Sequence, residues 1–141
     1  MLPLITIYTD ALPENVGGCA NGPLIRIRTK YRDDAGIRAH EAEHVRQWYI
    51  GVLIGMLAAL TIASTSSAWS ALWPAALLSG CALHPLAYLL LPRYRLRSEA
   101  RAYCVQATHY PDDRRQLFAS FISTRYGLNI TQDEALKAIG K

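Results

Sequence analysis

At 141 residues the chain is one compact unit with room for a membrane part. Its three cysteines, Cys19, Cys81 and Cys104, are odd in number and lack metal-ligand spacing, which excludes a disulfide framework and points to a reducing compartment. The net charge of +4 is accounted for by arginines flanking an uncharged stretch, so it calls for no nucleic-acid partner, whose footprint is a basic folded face interleaved with aromatics.

The first residues, Met1 to Tyr8, lack the basic start of a signal peptide, and Leu4 to Tyr8 reads as a short strand. Pro13 to Gly22 contains Gly17-Gly18 and Asn21-Gly22 and reads as a loop. From Ile25 to Arg32 the chain alternates strictly. Ile25, Ile27, Thr29 and Tyr31 fall on one face and Arg26, Arg28, Lys30 and Arg32 on the other, the pattern of a half-buried strand. Asp33, Asp34 and Gly36 then open a helix, with an aspartate as its cap.

That helix carries His40-Glu41-Ala42-Glu43-His44, an HExxH motif. Histidines four apart lie on one helical face, so both imidazoles reach one metal ion. A glutamate beside the first of them is placed to take a proton from water, and the chemistry implied is zinc-assisted hydrolysis, most often of a peptide bond. Zinc usually takes three protein ligands, so a third is needed. The extended pattern HExxHxxGxxH does not supply it, because Gln47 and Ile50 stand at its later positions.

Between Arg46 and Arg93 there is no Asp, Glu, Lys or Arg. Trp48 to Ala63 is one apolar block, Ser64 to Ser67 interrupts it, and Ala68 to Leu91 is a second. A helix crosses the hydrocarbon core with about 20 apolar residues, so the blocks read as a transmembrane helical hairpin with the polar turn on the far side. Gly51, Gly55, Ala59 and Ala63 form a smooth ridge, with Ala76 and Gly80 as its counterpart, which lets the helix backbones approach closely. Trp48, Tyr49, Trp69, Trp73 and Tyr88 lie where aromatic belts sit. Pro74 suits a first helical turn and Pro85 a kink, and His84 is placed to bond the carbonyl that Pro85 frees. Arg38 and Arg46 precede the hairpin and Arg93, Arg95, Arg97 and Arg101 follow it, which puts both termini and the HExxH on the cytoplasmic side of an integral membrane protein.

After the hairpin, Tyr94 to Thr108 reads as a helix bearing Glu99, and Asp112 to Tyr126 as another, with Leu117, Phe118, Phe121 and Ile122 as a core stripe and Gly127 as its stop. Asp112 and Asp113 look like caps, and Thr131 with Glu134 like a capping box. Glu99 alone among the downstream acids lacks such a structural role, which favours it as third ligand. The competing account of Glu99 is an exposed acid paired with Arg95 or Arg101. Cys104 is the softer donor nearby, though a lone helical cysteine is more often buried filler.

The order strand, HExxH helix, two apolar spans, glutamate helix resembles the gluzincin membrane metallopeptidases, in particular the HtpX heat-shock protease and CAAX prenyl protease group and the minimal minigluzincins. His40, Glu41 and His44 match the first motif, and Glu99 and Ala102 match the second, Glu-x-x-Ala-Asp, over about residues 24 to 106. Tyr103 stands where the second motif has its aspartate, four residues from Glu99 on the same face, where it could bond a ligand or polarise a substrate carbonyl. The resemblance also implies an edge strand that pairs with extended substrate. The matching segment here is 25 to 31, with Ile25, Arg26, Ile27, Arg28 and Thr29 as the substrate-binding residues.

The fold expected is mainly α with a small β element. Residues 1–47 hold the strands and the HExxH helix, 48–92 the hairpin, and 93–141 the third-ligand and C-terminal helices. The function expected is a membrane-embedded zinc endopeptidase acting on protein or peptide substrates at the bilayer. His40, His44 and Glu99 would hold Zn2+, Glu41 would be the base, and Tyr103, Tyr94, Arg101 or His109 would stabilise the oxyanion. The alternatives are a non-catalytic two-span membrane protein of pore-forming or lysis type, and a metal-binding regulatory module.

Overall fold

A computed structural model describes residues 2–64 and 69–140. It is mainly helical with a small sheet. Strands β1 (Ile5–Tyr8), β2 (Gly18–Asn21) and β3 (Leu24–Ile27) are followed by helices α1 (Ala35–Ser64), α2 (Trp69–Leu90), α3 (Pro92–Ala107), α4 (Arg115–Arg125) and α5 (Gln132–Ile139). Thr65 to Ser67 of the expected turn lie outside the described residues, as do the side chains of Ala63, Trp69, Trp73 and Ala76.

The sheet departs from expectation in two ways. The segment read as a loop contains β2. Gly22, at φ +60, turns the chain so that Gly18–Asn21 pairs antiparallel with β3, with Cys19 opposite Arg26. Gly-Cys-Ala-Asn has no alternating hydrophobicity, so no periodic signal marks it. The expected strand through Tyr31 stops at Ile27 instead. Asp10 Oδ1 accepts the Thr29 N–H, and Thr29–Tyr31 winds into a single 3-10 turn. The strand order is β1-β3-β2, so β3 is the centre of the sheet. Ile25 and Ile27 are fully buried with Val45 of α1 beneath them.

Asp34 Oδ1 accepts the Ile37 N–H at 3.0 Å and caps α1, as expected of an aspartate there. Thirty residues then run on as one helix, about 45 Å at 1.5 Å per residue. By length and composition Ala35–Ile62 can cross a membrane, and most of its apolar stretch is exposed. The apolar stretch of α2, Leu78–Leu90, is shorter among the described residues.

α1 and α2 pack side by side through their small residues. A Cβ on Gly55 would run into the Gly80 backbone, and one on Gly80 into Val52 O. Gly55→Leu must therefore push two backbones apart, at about 3 kcal/mol or more by the scale of overpacked cores. A clearly lowered unfolding midpoint in detergent is expected, while the exposed Leu57→Ala should leave it nearly unchanged.

Pro85 lacks the N–H that would bond the Cys81 carbonyl. Trp48 supplies the donor, with Nε1 at 3.0 Å from Cys81 O. His84, expected in that role, instead bonds the Tyr94 hydroxyl through Nδ1 at 2.8 Å. At the end of α2, Arg95 donates to the carbonyls of Tyr88 and Leu89 and also to that of Tyr126, joining α2, α3 and α4. Tyr103, Phe118, Ala119, Ile122, Ala135 and Ile139 form a second core among α3, α4 and α5. The Thr131–Glu134 capping box is present, and Gly127 ends α4 at φ +61.

Candidate metal centre and cleft

α1 presents His40 and His44 one turn apart, and α3 crosses it with Glu99. The His40 and His44 Nε2 atoms are 3.2 Å apart. Glu99 Oε1 lies 3.4 Å from His44 Nε2, and Oε2 lies 3.6 Å from His40 Nε2. Donors bound at about 2.0–2.1 Å to a tetrahedral ion stand about 3.3 Å from each other. The imidazole pair fits that figure; Glu99 approaches each ring through a different oxygen, and one donor atom from each of the three residues lies within 4.8 Å of the others. Glu99 is only 2% exposed, and its Oε2 has no hydrogen-bond partner. A buried carboxylate oxygen without a donor is costly, and a cation between these groups would satisfy it. The set can therefore hold a metal ion. The account of Glu99 as an exposed acid paired with Arg95 or Arg101 does not hold, because Arg101 pairs with Glu43 and Arg95 binds carbonyls.

A surrounding layer fixes the three donors. Gln47 Oε1, which can only accept, lies 3.1 Å from His44 Nδ1. It also accepts from Ser98 Oγ, while Gln47 Nε2 donates to Ser98 O. His44 Nδ1 must then carry a proton, which aims the other ring nitrogen at the site. Tyr88 of α2 donates to Glu99 Oε1 at 2.6 Å. Tyr103 sets its ring edgewise on His40 at 4.4 Å, and its hydroxyl meets that of Tyr126 at 3.0 Å. Tyr103 thus props a ligand. Tyr88 holds the Glu99 carboxylate from α2. Glu43 joins Arg46 and Arg101, tying α1 to α3 beside the site.

Charge follows geometry. Burial raises the Glu99 carboxyl, but the two imidazoles outweigh it and hold the group well below the usual carboxylate range. Burial lowers His44, and its bond to Glu99 outweighs that and raises it to about 9. A His raised in this way contributes stability that is fully present below its ordinary value near 6.5 and lost as pH rises through about 9. Metal must displace that proton. Zinc affinity is therefore expected to rise by about tenfold per pH unit from near neutrality and to level off once pH passes His44, as checked by chelator-competition titrations across that range.

Glu41 is 5% exposed and lies under β2. A Cβ on Gly18 would meet its Oε1 at 2.8 Å. Only a residue without a side chain lets the strand come this close. Among the described residues none donates a hydrogen bond to the Glu41 carboxylate. Burial pushes this carboxyl above its ordinary value, and the imidazoles oppose the rise only in part.

These groups open on a cleft of about 1030 Å3. Its lining includes residues 14–22, which contain β2, together with Leu117, Phe118 and Phe121 of α4 and His84 and Tyr88 of α2. The stripe on α4 read as core is thus also a cleft wall, with Leu117 exposed. Of the oxyanion candidates only Tyr103 lines the cleft. Tyr94, Arg101 and His109 do not, and Tyr126 does.

The expectation that Ile25, Arg26, Ile27, Arg28 and Thr29 form a substrate-pairing edge strand does not hold, although Arg28 lines the cleft. β3 is paired on both sides, parallel to β1 and antiparallel to β2, so it offers no free edge. Thr29 lies outside the strand, and Arg28 is spent on the carbonyls of Leu12, Pro13 and Val16. The edge at the cleft is β2. The bond from Arg28 N to Gly17 O marks 17 and 28 as a hydrogen-bonded pair, so by alternation Gly18 and Ala20 turn their N–H and C=O outward. No protein family, curated protein or solved structure matches the chain.

Proposed function

We propose that the protein is an integral-membrane zinc endopeptidase of the gluzincin type, acting at the cytoplasmic membrane face with both termini on that side. One observation carries this: a buried carboxylate with an unpartnered oxygen stands within 3.6 Å of two imidazoles, beside a second buried carboxylate under a free strand edge. Two nitrogens and one oxygen suit zinc better than magnesium or calcium, which take oxygen ligands.

When bound, zinc would polarise the substrate carbonyl and bring the pKa of water towards about 7. His40, His44 and Glu99 hold it, with Gln47, Ser98 and Tyr88 fixing their directions. The Gly18 and Ala20 backbone takes an extended peptide by strand addition, with little choice of sequence. Leu117 and Phe121 offer apolar contact for its side chains. Glu41 accepts the proton from the attacking water and returns it to the leaving amine. The Tyr103–Tyr126 hydroxyl pair is offered as the donor for the developing oxyanion.

The hairpin supports the membrane assignment through its lack of charge and its exposed aliphatics, among them Leu53, Leu57, Leu78 and Leu89. The protein in lipid nanodiscs should cleave an unstructured protein substrate, lose that activity to a chelator and regain it with zinc added back. Fully zinc-loaded protein that hydrolyses no peptide bond, across a broad panel of unfolded proteins, would refute the proposal.

A further inference from the structure

The sheet has a second side that the cleft does not use. β1 is its outer edge strand. Residues 1–9 carry no charged side chain, and the Arg32 cation lies over the Tyr8 ring at the far end of the strand. Leu2 is 43% exposed and Ile5 62%. An uncharged, aliphatic, uncovered edge is an aggregation site unless something covers it, and proteins usually place lysine or proline there. Pro3 is the one such residue here, and it lies just before the strand.

The position of this edge identifies its cover. The Tyr49 hydroxyl donates to Pro3 O at 2.9 Å, and Gly22 lies on the Trp48 ring. Asn21, Leu24 and Ile5 form one row across the sheet. That end of the sheet is therefore level with Trp48 and Tyr49 on α1, where the charges stop. Arg46 is the last charged residue before the apolar block, and Ile50 and Leu53 beyond it are exposed. Leu2 and Ile5 are thus exposed at the level of α1 where Ile50 and Leu53 are also exposed. Ile7 follows two residues higher, about 7 Å at strand spacing.

We infer that the β1 end of the sheet rests in the lipid interface, with Leu2 and Ile5 entering the boundary between headgroups and acyl chains. Apolar faces bury themselves there to about 5–10 Å. The inference rests on α1 crossing the bilayer from Trp48 onward. It adds a second membrane contact that fixes the tilt of the sheet. The row from Ile5 to Asn21 then lies along the membrane, with β2 rising from it. The cleft would receive chain lying at the bilayer surface.

The test uses single spin labels in the full chain in nanodiscs, with Cys19, Cys81 and Cys104 replaced by serine. Labels go at Ile5→Cys, at Leu57→Cys within α1, and at Gln132→Cys as an aqueous reference. Collisions with oxygen report lipid, and collisions with a soluble nickel chelate report water. An unchanged helical circular dichroism spectrum and thermal midpoint show that each labelled protein is folded. The expected result is a shift at Ile5 from nickel-favouring to oxygen-favouring collisions, in line with Leu57 and opposite to Gln132. A water-exposed Ile5 with a lipid-exposed Leu57 overturns the inference and leaves the hairpin standing. A label at Ile5 shielded from both agents also overturns it and puts a second copy of the chain on the edge. Water at Leu57 overturns the hairpin and the inference together.

Discussion

Glu99→Gln is expected to abolish metal binding while leaving the fold in place. The amide keeps the shape of the carboxylate and can still accept from the Tyr88 hydroxyl, but it presents no anionic oxygen to a cation. Loss of a supporting partner alone typically lowers metal affinity by about 10–100-fold, so loss of a ligand should exceed about 100-fold. Tyr88→Phe removes only the supporting bond and should fall within that smaller range. Glu99→Ala is harsher. In the metal-free protein it takes away the counter-charge of His44 and strands the Tyr88 hydroxyl, and breaking a buried pair costs about 3 kcal/mol or more. The measurement is bound zinc per chain together with the thermal midpoint. Full zinc occupancy in Glu99→Gln would remove position 99 from the site.

The parts of the fold legible in the sequence were those with a strong local signal. The Asp34 cap, the Thr131–Glu134 capping box and the Gly127 stop are side-chain chemistry acting over a few residues, and all three stand in the structure. The long α1 helix followed from unbroken apolar character. β2 did not follow, because a Gly-Cys-Ala-Asn strand is held by its pairing with β3 and not by its own periodicity. The same pairing explains the misplaced substrate edge. Alternation in Ile25 to Tyr31 says that one face is buried, but it carries no information about which neighbours a strand acquires.

The candidate site divides in the same way. His40, Glu41 and His44 are set by helical spacing, and Glu99 was singled out by having no other task. Gln47 was visible one turn after His44, yet only as the residue that breaks a longer motif. Its value depends on Ser98, fifty-one positions away. Tyr88 and Tyr126 reach Glu99 and Tyr103 through the packing of α2 and α4 on α3, and no local pattern encodes such meetings. Trp48 shows the converse. Its aromatic character at the start of the apolar block was legible, but its bond to the carbonyl freed by Pro85 was not.

Glu41→Gln should retain zinc and lose about 10²–10⁴-fold in peptide hydrolysis, the range that a positioned proton acceptor contributes. The amide fills the same space under Gly18, so the strand above it has no reason to move. His40, His44 and Glu99 are untouched, so metal stoichiometry should stay at the wild-type value. Only the capacity to take a proton is gone. Burial holds the Glu41 carboxyl above its ordinary value, which brings it nearer to the working pH and makes it a better proton acceptor than an exposed glutamate. With zinc held saturating, the acid limb that belongs to Glu41 in the wild-type rate profile should be absent from the residual activity of Glu41→Gln. A variant that keeps both its zinc and its turnover would move the base to another residue of the cleft. One that loses its zinc would mean that position 41 supports the metal and would leave its catalytic role without foundation.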